Sequence, residues 1–248
     1  MLATRPRECS GIRLSTKIRI KLQPKGQASD LALKMRADGL TYLSEQKFAR
    51  LEQCLTDVER KGVLGDIAEF GIALGGSGIV LARHAQKHDR CFFGFDVFGM
   101  IPEPASEKDD AKSKERYETI SSGQSKGIRG GAYYGYVDDL YAQVSASFAA
   151  NQVAVDGKRI HLVKGLFEET VPTADLGKLA FCHLDCDWYD PVHFCLNVVA
   201  DKLSPGGIIL LDDYHDYGGC QTAVDEFRMS RKDFRFEDGR NVILRKQD

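Results

Sequence analysis

The sequence predicts a single Rossmann-like α/β domain built on a doubly wound, mostly parallel sheet. Apolar runs of strand length alternate with segments of helical periodicity, which is the pattern of a parallel sheet covered by helices. Several of these runs end in glycine or aspartate, as strands do at a ligand-binding edge. The last two apolar runs are too close together to enclose a helix, so we expect an antiparallel C-terminal ending.

Each element follows from local signals. Ser44 can cap a helix whose apolar residues recur at helical spacing over residues 47–60, and Gly62 and Gly65 end it. Together with the residues before it, this helix forms a helical N-terminal extension. Buried strands are predicted at 66–72, 91–97, 159–164, 179–185 and 207–211. Further helices are predicted at 77–88, 137–152, 191–203 and 221–231, and the paired ending at 234–236 and 242–244.

The domain organisation has two further features. Residues 1–40 are predicted to be a basic arm, and residues 41–248 to be the catalytic domain. Residues 99–135 are rich in Gly, Ser, Lys and Glu and end in tyrosines, so they are predicted to form a loop that acts as a mobile lid.

Composition restricts the class of partner. The formal net charge of −2 excludes a polyanion-binding signature for the whole chain, so no nucleic acid is expected. Seven Lys and Arg residues lie in residues 1–27 against one acid. This arm is expected to be solvated or to pack on a partner subunit of a homo-oligomer, with contact to an anionic part of a substrate as the alternative. Seven cysteines without CxxC spacing, and no membrane-length apolar run, favour a cytoplasmic protein with reduced thiols and no membrane partner.

A glycine-rich segment follows the first predicted strand. The pattern from Gly71 to Gly78 is GxxxGGxG, whereas the dinucleotide fingerprint is GxGxxG. Glycines at a strand–helix junction let the backbone approach a ligand, and the free N–H groups of the helix suit a carboxylate. S-adenosylmethionine has such a carboxylate and no phosphate. Glu69, Gly71, Gly75 and Ser77 are therefore predicted to contact this cofactor.

Asp96 ends the second predicted strand. An acidic side chain at this position can accept hydrogen bonds from ribose hydroxyls. Together with the glycine-rich loop it favours a cofactor that contains a nucleoside, without separating S-adenosylmethionine from a nicotinamide.

Three aspartates follow two neighbouring predicted strands. Asp185 ends the fourth strand, and Asp212 and Asp213 end the fifth. Because parallel strands end at one edge of the sheet, these carboxylates are expected to converge. Their mutual repulsion is costly unless they share a cation. Oxygen ligands without His or Cys suit Mg²⁺, or Mn²⁺ and Ca²⁺.

Several short segments are found in one known family. They are Gly65-Asp-Ile-Ala-Glu-Phe-Gly with Gly75-Gly-Ser, Gly94-Phe-Asp-Val-Phe-Gly, Lys164-Gly-Leu-Phe-Glu-Glu-Thr, Asp185-Cys-Asp-Trp-Tyr, Lys202-Leu-Ser-Pro-Gly-Gly, Asp212-Asp-Tyr and Ala223-Val-Asp-Glu-Phe. In their order and spacing, the sequence from about residue 41 to its end resembles the macrocin O-methyltransferase family. These class I S-adenosylmethionine-dependent enzymes methylate sugar hydroxyls of macrolides and related natural products. Met100-Ile-Pro departs from the shorter Leu-Pro that is usual there.

The resemblance implies a Mg²⁺-dependent O-methyltransferase with Asp185, Asp212 and Asp213 as the metal ligands. The expected acceptor is a hydroxyl of a small, glycosylated molecule. The matching segments also place Gly165, Phe167 and Asp185 at the cofactor.

The catalytic base has two candidates. The resemblance implies Asp187, a carboxylate beside the metal site, and His215 competes because it follows the aspartate pair closely. His183, within a strand, is expected to be a packed core residue, and Trp188 and Tyr189 are candidates for the acceptor pocket.

Three other functions use some of these residues. A nicotinamide-dependent oxidoreductase would use the glycines and Asp96 but has no need of three aspartates. A catechol or phenol O-methyltransferase would use the same aspartates, and a non-catalytic nucleoside-binding scaffold would leave them unexplained.

Overall fold

A computed structural model describes residues 26–247 of the chain. Within these residues there are seven strands: β1 (Asp66–Phe70), β2 (Phe92–Asp96), β3 (Ile160–Lys164), β4 (Leu179–Leu184), β5 (Leu203–Leu211), β6 (Phe234–Glu237) and β7 (Val242–Lys246). The described part of the chain also has eight α-helices: α1 (Asp30–Ala37), α2 (Glu45–Arg60), α3 (Gly76–Lys87), α4 (Ala111–Ser121), α5 (Leu140–Ala150), α6 (Phe167–Thr170), α7 (Tyr189–Lys202) and α8 (Gly218–Ser230). The predicted α/β class, the antiparallel ending and the helical extension are confirmed.

The strands form one sheet in the order β3-β2-β1-β4-β5-β7-β6. Neighbouring strands from β3 to β5 pair in parallel, and β7 runs antiparallel to both β5 and β6. The chain leaves β1 towards β2 and β3, then returns to place β4 on the other side of β1. The carboxyl ends of β1 and β4 therefore flank the point where the strand order reverses, which is where open α/β sheets bind ligands.

Each face of the sheet has its own core. Alternate strand residues pack against α1, α2, α3 and α5 on one face, and against α6, α7 and α8 on the other. Six cysteines, all of those in the described residues, are buried and free, as expected for reduced thiols. None of the helices within residues 26–247 is both long enough and apolar enough to cross a membrane.

Two segments contain helices that the local sequence signals did not predict. Helix α1 lies inside the predicted arm, yet Ala32 and Met35 are fully buried and the Gly76 N–H donates to the Leu40 carbonyl at 2.8 Å. Its turns belong to the core, whereas residues 1–25, with most of the basic charge, lie outside the described residues. Helix α4 lies inside the predicted loop; its polar sequence buries only Ser113 and Ile120 and so has little hydrophobic periodicity.

An ion-pair cluster ties the C-terminal end of α2 to the start of β2, at the edge of the sheet away from the strand carboxyl ends. The Arg90 guanidinium donates to both carboxylate oxygens of Glu59, at 2.8 and 3.1 Å, and His84 Nε2 lies 3.2 Å from one of them. Burial by itself would raise the pKa of Glu59, but the hydrogen bonds from His84 and Arg90 outweigh it and lower this pKa to about 2.

We expect Glu59→Gln to lower the free energy of unfolding at pH 7 by about 2 kcal/mol, the scale of hydrogen bonds to a charged group. Because the folded pKa is the lower one, this contribution is present above the ordinary pKa of 4.5 and is lost as the pH falls towards 2. Urea unfolding at several pH values measures it. The exposed Glu118 provides the control Glu118→Gln, and a difference between wild type and Glu59→Gln that does not depend on pH would contradict the assignment.

Candidate active site

The glycine-rich loop begins where β1 ends, against the start of the acidic segment after β4. Gly71 has a φ of 92°, and a Cβ at this position would collide with the main-chain carbonyl of Asp185. A side chain here would therefore separate the ends of β1 and β4. Gly75, with a φ of 91°, precedes the first turn of α3. Only glycine suits both positions without strain, and the loop stays close to the acidic segment.

Asp185, Asp212 and Asp213 converge as the sequence predicts. Each offers a carboxylate oxygen, and the three oxygens lie within 4.8 Å of one another. Burial, followed by repulsion from the neighbouring carboxylates, raises the pKa of Asp185 and Asp213 well above its usual range. Asp212 Oδ1 is buried and has no hydrogen-bond partner among the described residues. An orphaned oxygen within an all-carboxylate group fits a hard divalent cation such as Mg²⁺.

Lys47 reaches this cluster from α2. Its ammonium group lies 2.7 Å from Asp212 Oδ2, 3.1 Å from the Asp212 carbonyl and 3.2 Å from Asp216 Oδ2. Burial by itself would lower the pKa of Lys47, but the charge and hydrogen bond of Asp212 outweigh it and raise this pKa, so the side chain stays charged. Lys47 thus compensates part of the negative charge and holds the Asp212 carboxylate in place.

Asp187 lies beside the cluster without belonging to it. Its φ is 57°, a left-handed conformation, and its backbone N–H donates to Asp213 Oδ2 at 3.0 Å. Burial and then repulsion from Asp212 raise the pKa of Asp187 to about 7, although Arg116 opposes this rise. The carboxylate therefore has its position set by the backbone and its proton affinity raised by its surroundings.

Two adjoining cavities, each of about 340 Å³, open at this edge of the sheet. We call the first the acidic cavity; Ser77, Lys47, Lys112, Arg116, Asp212, Asp213, Asp216 and the tyrosines 42, 133 and 217 line it alone. We call the second the apolar cavity; Val97, Pro102, Leu166, Phe167 and Cys186 line it alone, together with the acidic residues Glu103, Glu168 and Asp190. Gly71, Asp96, Ile101, Tyr134, Asp185, Asp187 and Trp188 line both, so these residues form the boundary.

Asp96 supports the loop as well as lining both cavities. Its Oδ2 accepts hydrogen bonds from the N–H groups of Ile72 at 2.7 Å and Ala73 at 2.9 Å, and its Oδ1 accepts one from Phe98 at 2.6 Å. Burial raises the pKa of Asp96, and these backbone hydrogen bonds oppose that rise. Its carboxylate therefore fixes the glycine-rich loop whatever else it binds.

The other residues predicted at the cofactor fall into two groups. Ser77 lines the acidic cavity and Phe167 the apolar cavity. Gly75 and Gly165 shape the backbone beside the cavities, with the Gly165 N–H donating to the Asp96 carbonyl at 3.0 Å. Glu69 lies apart from both groups. It is fully buried, lines neither cavity, and pairs with His183 Nδ1 at 2.9 Å, because its side chain points beneath the loop towards Gly78.

His215 lies outside both cavities. Its Nε2 is 3.0 Å from Asp238 Oδ1 and 3.1 Å from the Gly239 carbonyl, and half of its side chain is exposed. Proximity in sequence to Asp213 therefore does not bring its ring into the cavities. His183 is fully buried, as expected. Of the two aromatic candidates, Trp188 lines both cavities, whereas the Tyr189 hydroxyl donates to Glu226 at 2.7 Å.

Several cavity residues were not among the predicted site residues. Lys47, Lys112, Arg116 and Tyr134 come from segments far from the aspartates in the chain. The four-residue spacing of Lys112 and Arg116 would have placed them on one helix face had α4 been recognised. No local signal connects Lys47 with Asp212.

Comparison with solved structures shows that the fold is one that methyltransferases have. The fold resembles that of "the O-methyltransferase NovP", with a TM-score of 0.68 at 24% identity, over 87% of this chain and 88% of that one. It also resembles the S-adenosylhomocysteine-bound methyltransferase PaMTH1 of Podospora anserina, with a TM-score of 0.55 at 16% identity, over 90% of each chain. Both likenesses concern the fold.

Comparison of sequences identifies the family. The family described as macrocin O-methyltransferase (TylF) matches residues 23–235, so the chain belongs to that family and is an O-methyltransferase. A curated relative from Streptomyces olivaceus is 29% identical over 76% of this chain and 67% of its own length. Its name is 8-demethyl-8-(2,3-dimethoxy-alpha-L-rhamnosyl)-tetracenomycin-C 4'-O-methyltransferase.

Proposed function

We propose that this O-methyltransferase transfers the methyl group of S-adenosylmethionine to a sugar hydroxyl of a glycosylated small molecule, with a divalent metal at the aspartate cluster. The family match and the rhamnose-modifying relative support the acceptor class. The observation that carries the metal is the convergence of three carboxylate oxygens within 4.8 Å. A nicotinamide-dependent oxidoreductase and a non-catalytic scaffold have no use for it.

The different linings of the two cavities suggest which cavity binds the cofactor and which binds the acceptor. The adenosine moiety fits the apolar cavity, beside Phe167 and within reach of Asp96. The methionine moiety then extends past Gly71 to the N–H groups at the start of α3, near Ser77, where a helix N-terminus favours a carboxylate. The acceptor occupies the acidic cavity. This arrangement places the methyl group near the boundary residues Asp185 and Asp187.

The residues of the chain account for the requirements of the reaction. In-line displacement needs an aligned acceptor oxygen and the loss of its proton. A cation held by Asp185, Asp212 and Asp213 would supply a Lewis acid that favours the deprotonated hydroxyl. Asp187, next to that cluster and exposed to both cavities, takes the proton. A carbon–oxygen bond forms as the carbon–sulfur bond breaks, leaving S-adenosylhomocysteine and a methyl ether.

The acceptor class is tested by incubating the protein with isotopically labelled S-adenosylmethionine, Mg²⁺ and a panel of hydroxyl acceptors, with mass spectrometry as the readout. The panel contains glycosylated natural products, their aglycones and simple catechols. Label on the sugar is the expected result. Label only on a catechol or an aglycone phenol would show that the acceptor is a phenol and not a sugar. Full activity in EDTA would show that the reaction does not need a metal.

Asp96→Ala should weaken S-adenosylmethionine binding by about 1–3 kcal/mol, the scale of lost hydrogen bonds to a charged group. The carboxylate is expected to bind the cofactor ribose and also holds the loop through Ile72 and Ala73. Calorimetry measures the affinity, and thermal unfolding without cofactor serves as the control for loop collapse. Unchanged affinity in a folded variant would show that Asp96 does not bind the cofactor.

Residues 99–135 are proposed to close over bound substrates. The segment carries α4 and contributes Ile101, Arg116 and Tyr133 to the cavity walls. Hydrogen exchange should slow in this segment when S-adenosylhomocysteine and an acceptor are added together, because closure orders backbone amides. The strands of the sheet provide the internal control. Strong protection that is already present in the free protein would exclude a lid.

A further inference from the structure

Helix α4 presents two cationic side chains to the acidic cavity. Lys112 and Arg116 are four residues apart, and this spacing places them on the same face of the helix. Both line the cavity, on the side formed by α4 and the tyrosines, whereas the aspartate cluster lies at the strand ends. The cavity proposed for the acceptor therefore has an acidic region and a separate cationic region.

Neither cation is paired with a carboxylate within residues 26–247. Lys112 Nζ donates to the main-chain carbonyl of Asp216 and lies 5.0 Å from the ring centre of Tyr217. Arg116 Nη1 donates to Ser125 Oγ at 2.9 Å, and its guanidinium lies 5.5 Å from the ring centre of Tyr133. The partners are thus a carbonyl, a hydroxyl and two aromatic rings, none of which neutralises a positive charge.

Lys47, a third cationic side chain of the same cavity, differs from Lys112 and Arg116 in being paired with carboxylates. Its ammonium group is paired with both Asp212 and Asp216. Charge compensation of the aspartate cluster is therefore already supplied by a lysine in direct contact with it. Lys112 and Arg116 make no such contact, although Lys112 is close enough to act on the pKa of Asp110, and Arg116 on that of Asp187. Their positive charge remains available to a ligand.

The surroundings of Arg116 favour an anion with several oxygen atoms. A guanidinium group binds phosphate and carboxylate through parallel hydrogen bonds, and an ammonium group one turn away adds a point charge. The Ser125 contact and the Tyr133 ring hold the guanidinium in one place, which lowers the entropy lost on binding. The nearby aspartates repel an anion elsewhere in the cavity, so its position is restricted to the α4 side.

We propose that Lys112 and Arg116 form an anion-binding subsite that recognises a phosphate or carboxylate group on the acceptor. This inference rests on the proposed function, because it takes the acidic cavity to be the acceptor site. The acceptor would then be a charged sugar derivative, either a sugar phosphate ester, including a nucleotide sugar, or a sugar linked to a carboxylate. The subsite fixes the anionic end of the molecule while the hydroxyl faces the aspartates.

The experiment compares matched probes that differ in charge. The phosphate pair is L-rhamnose 1-phosphate and methyl α-L-rhamnoside, and the carboxylate pair is methyl β-D-glucuronide and methyl β-D-glucoside. Affinities are measured by calorimetry with Mg²⁺ and S-adenosylhomocysteine present, so no turnover is needed. The variants are Arg116→Gln and Lys112→Gln. Lys114→Gln is the matched control, since it removes the same charge from a position of the same helix that lines neither cavity.

Wild type should bind the anionic member of at least one pair about tenfold or more tightly than the neutral member, the usual size of a charged hydrogen bond. The probe pair that shows the preference identifies whether the subsite binds a phosphate or a carboxylate. Arg116→Gln and Lys112→Gln should each remove most of the preference and leave the neutral probe unchanged, and Lys114→Gln should retain it. Equal affinity within both pairs would overturn the subsite, as would an equal loss in Lys114→Gln.

Failure of this inference can be told apart from failure of the proposed function. If the anionic preference depends on Arg116 but no hydroxyl acceptor is methylated, the subsite stands and the proposed acceptor class is wrong. If neutral glycosides are methylated and charge has no effect on affinity, the proposed function stands and the subsite is overturned.

Discussion

Asp187→Asn should reduce turnover by a factor of about 10²–10⁴, the usual contribution of a general base. The amide cannot take the proton of the acceptor hydroxyl. The substitution should leave the fold intact, because asparagine tolerates the left-handed conformation that Asp187 adopts, with its φ of 57°. The hydrogen bond to Asp213 comes from the backbone N–H of residue 187 and is also retained.

The measurement is turnover at saturating substrates, together with calorimetry for Mg²⁺ and for S-adenosylmethionine. Both affinities should be close to those of wild type, because a base acts in the chemical step only. His215→Ala is the control, since its ring pairs with Asp238 outside the cavities and its loss should have little effect. A crippled His215→Ala protein beside a nearly normal Asp187→Asn protein would reverse the assignment.

Asp185→Asn should abolish activity by weakening Mg²⁺ binding. The loss should exceed the factor of about 10–100 that follows when a group that only orients a metal ligand is removed. The substitution should also raise the melting temperature of the metal-free protein. Asp185 is buried against Asp212 and Asp213, and their mutual repulsion is relieved when one charge is removed. The variant should therefore be more stable than wild type without Mg²⁺ and gain little stability when Mg²⁺ is added.

Thermal unfolding in EDTA and in Mg²⁺, with calorimetry for metal affinity, measures both effects. Asp216→Asn is the matched control: it removes a carboxylate that contacts Lys47 from the same cavity but is not one of the three converging aspartates. It should keep the stabilisation by Mg²⁺. If Asp185→Asn binds Mg²⁺ as wild type does, the cluster is not the metal site. If Asp216→Asn loses the metal equally, the net negative charge of the cavity, and not coordination by the three aspartates, holds the ion.

Sequence reasoning succeeded where the signal is local. The buried runs that became β1, β2 and β4 are short and apolar and end in Gly71, Asp96 and Asp185, so strand type and ligand-binding edge could both be inferred. The convergence of Asp185 with Asp212 and Asp213 followed from strand polarity alone, because parallel neighbours end at one edge. Helix α4 was missed because a helix that buries few residues carries almost no periodic pattern.

The sequence by itself determined the strands in their order along the chain, the glycine-rich loop, the aspartates that meet at the sheet edge and the family. Only the tertiary structure decided which side chains join them. Glu69 lies beneath the loop and contacts His183, and His215 contacts Asp238. Lys47 pairs with Asp212, which is 165 residues away in the sequence. Strands and turns are determined mainly by residues that are neighbours in the sequence. The direction of a side chain and the identity of its distant partner depend instead on how whole elements pack.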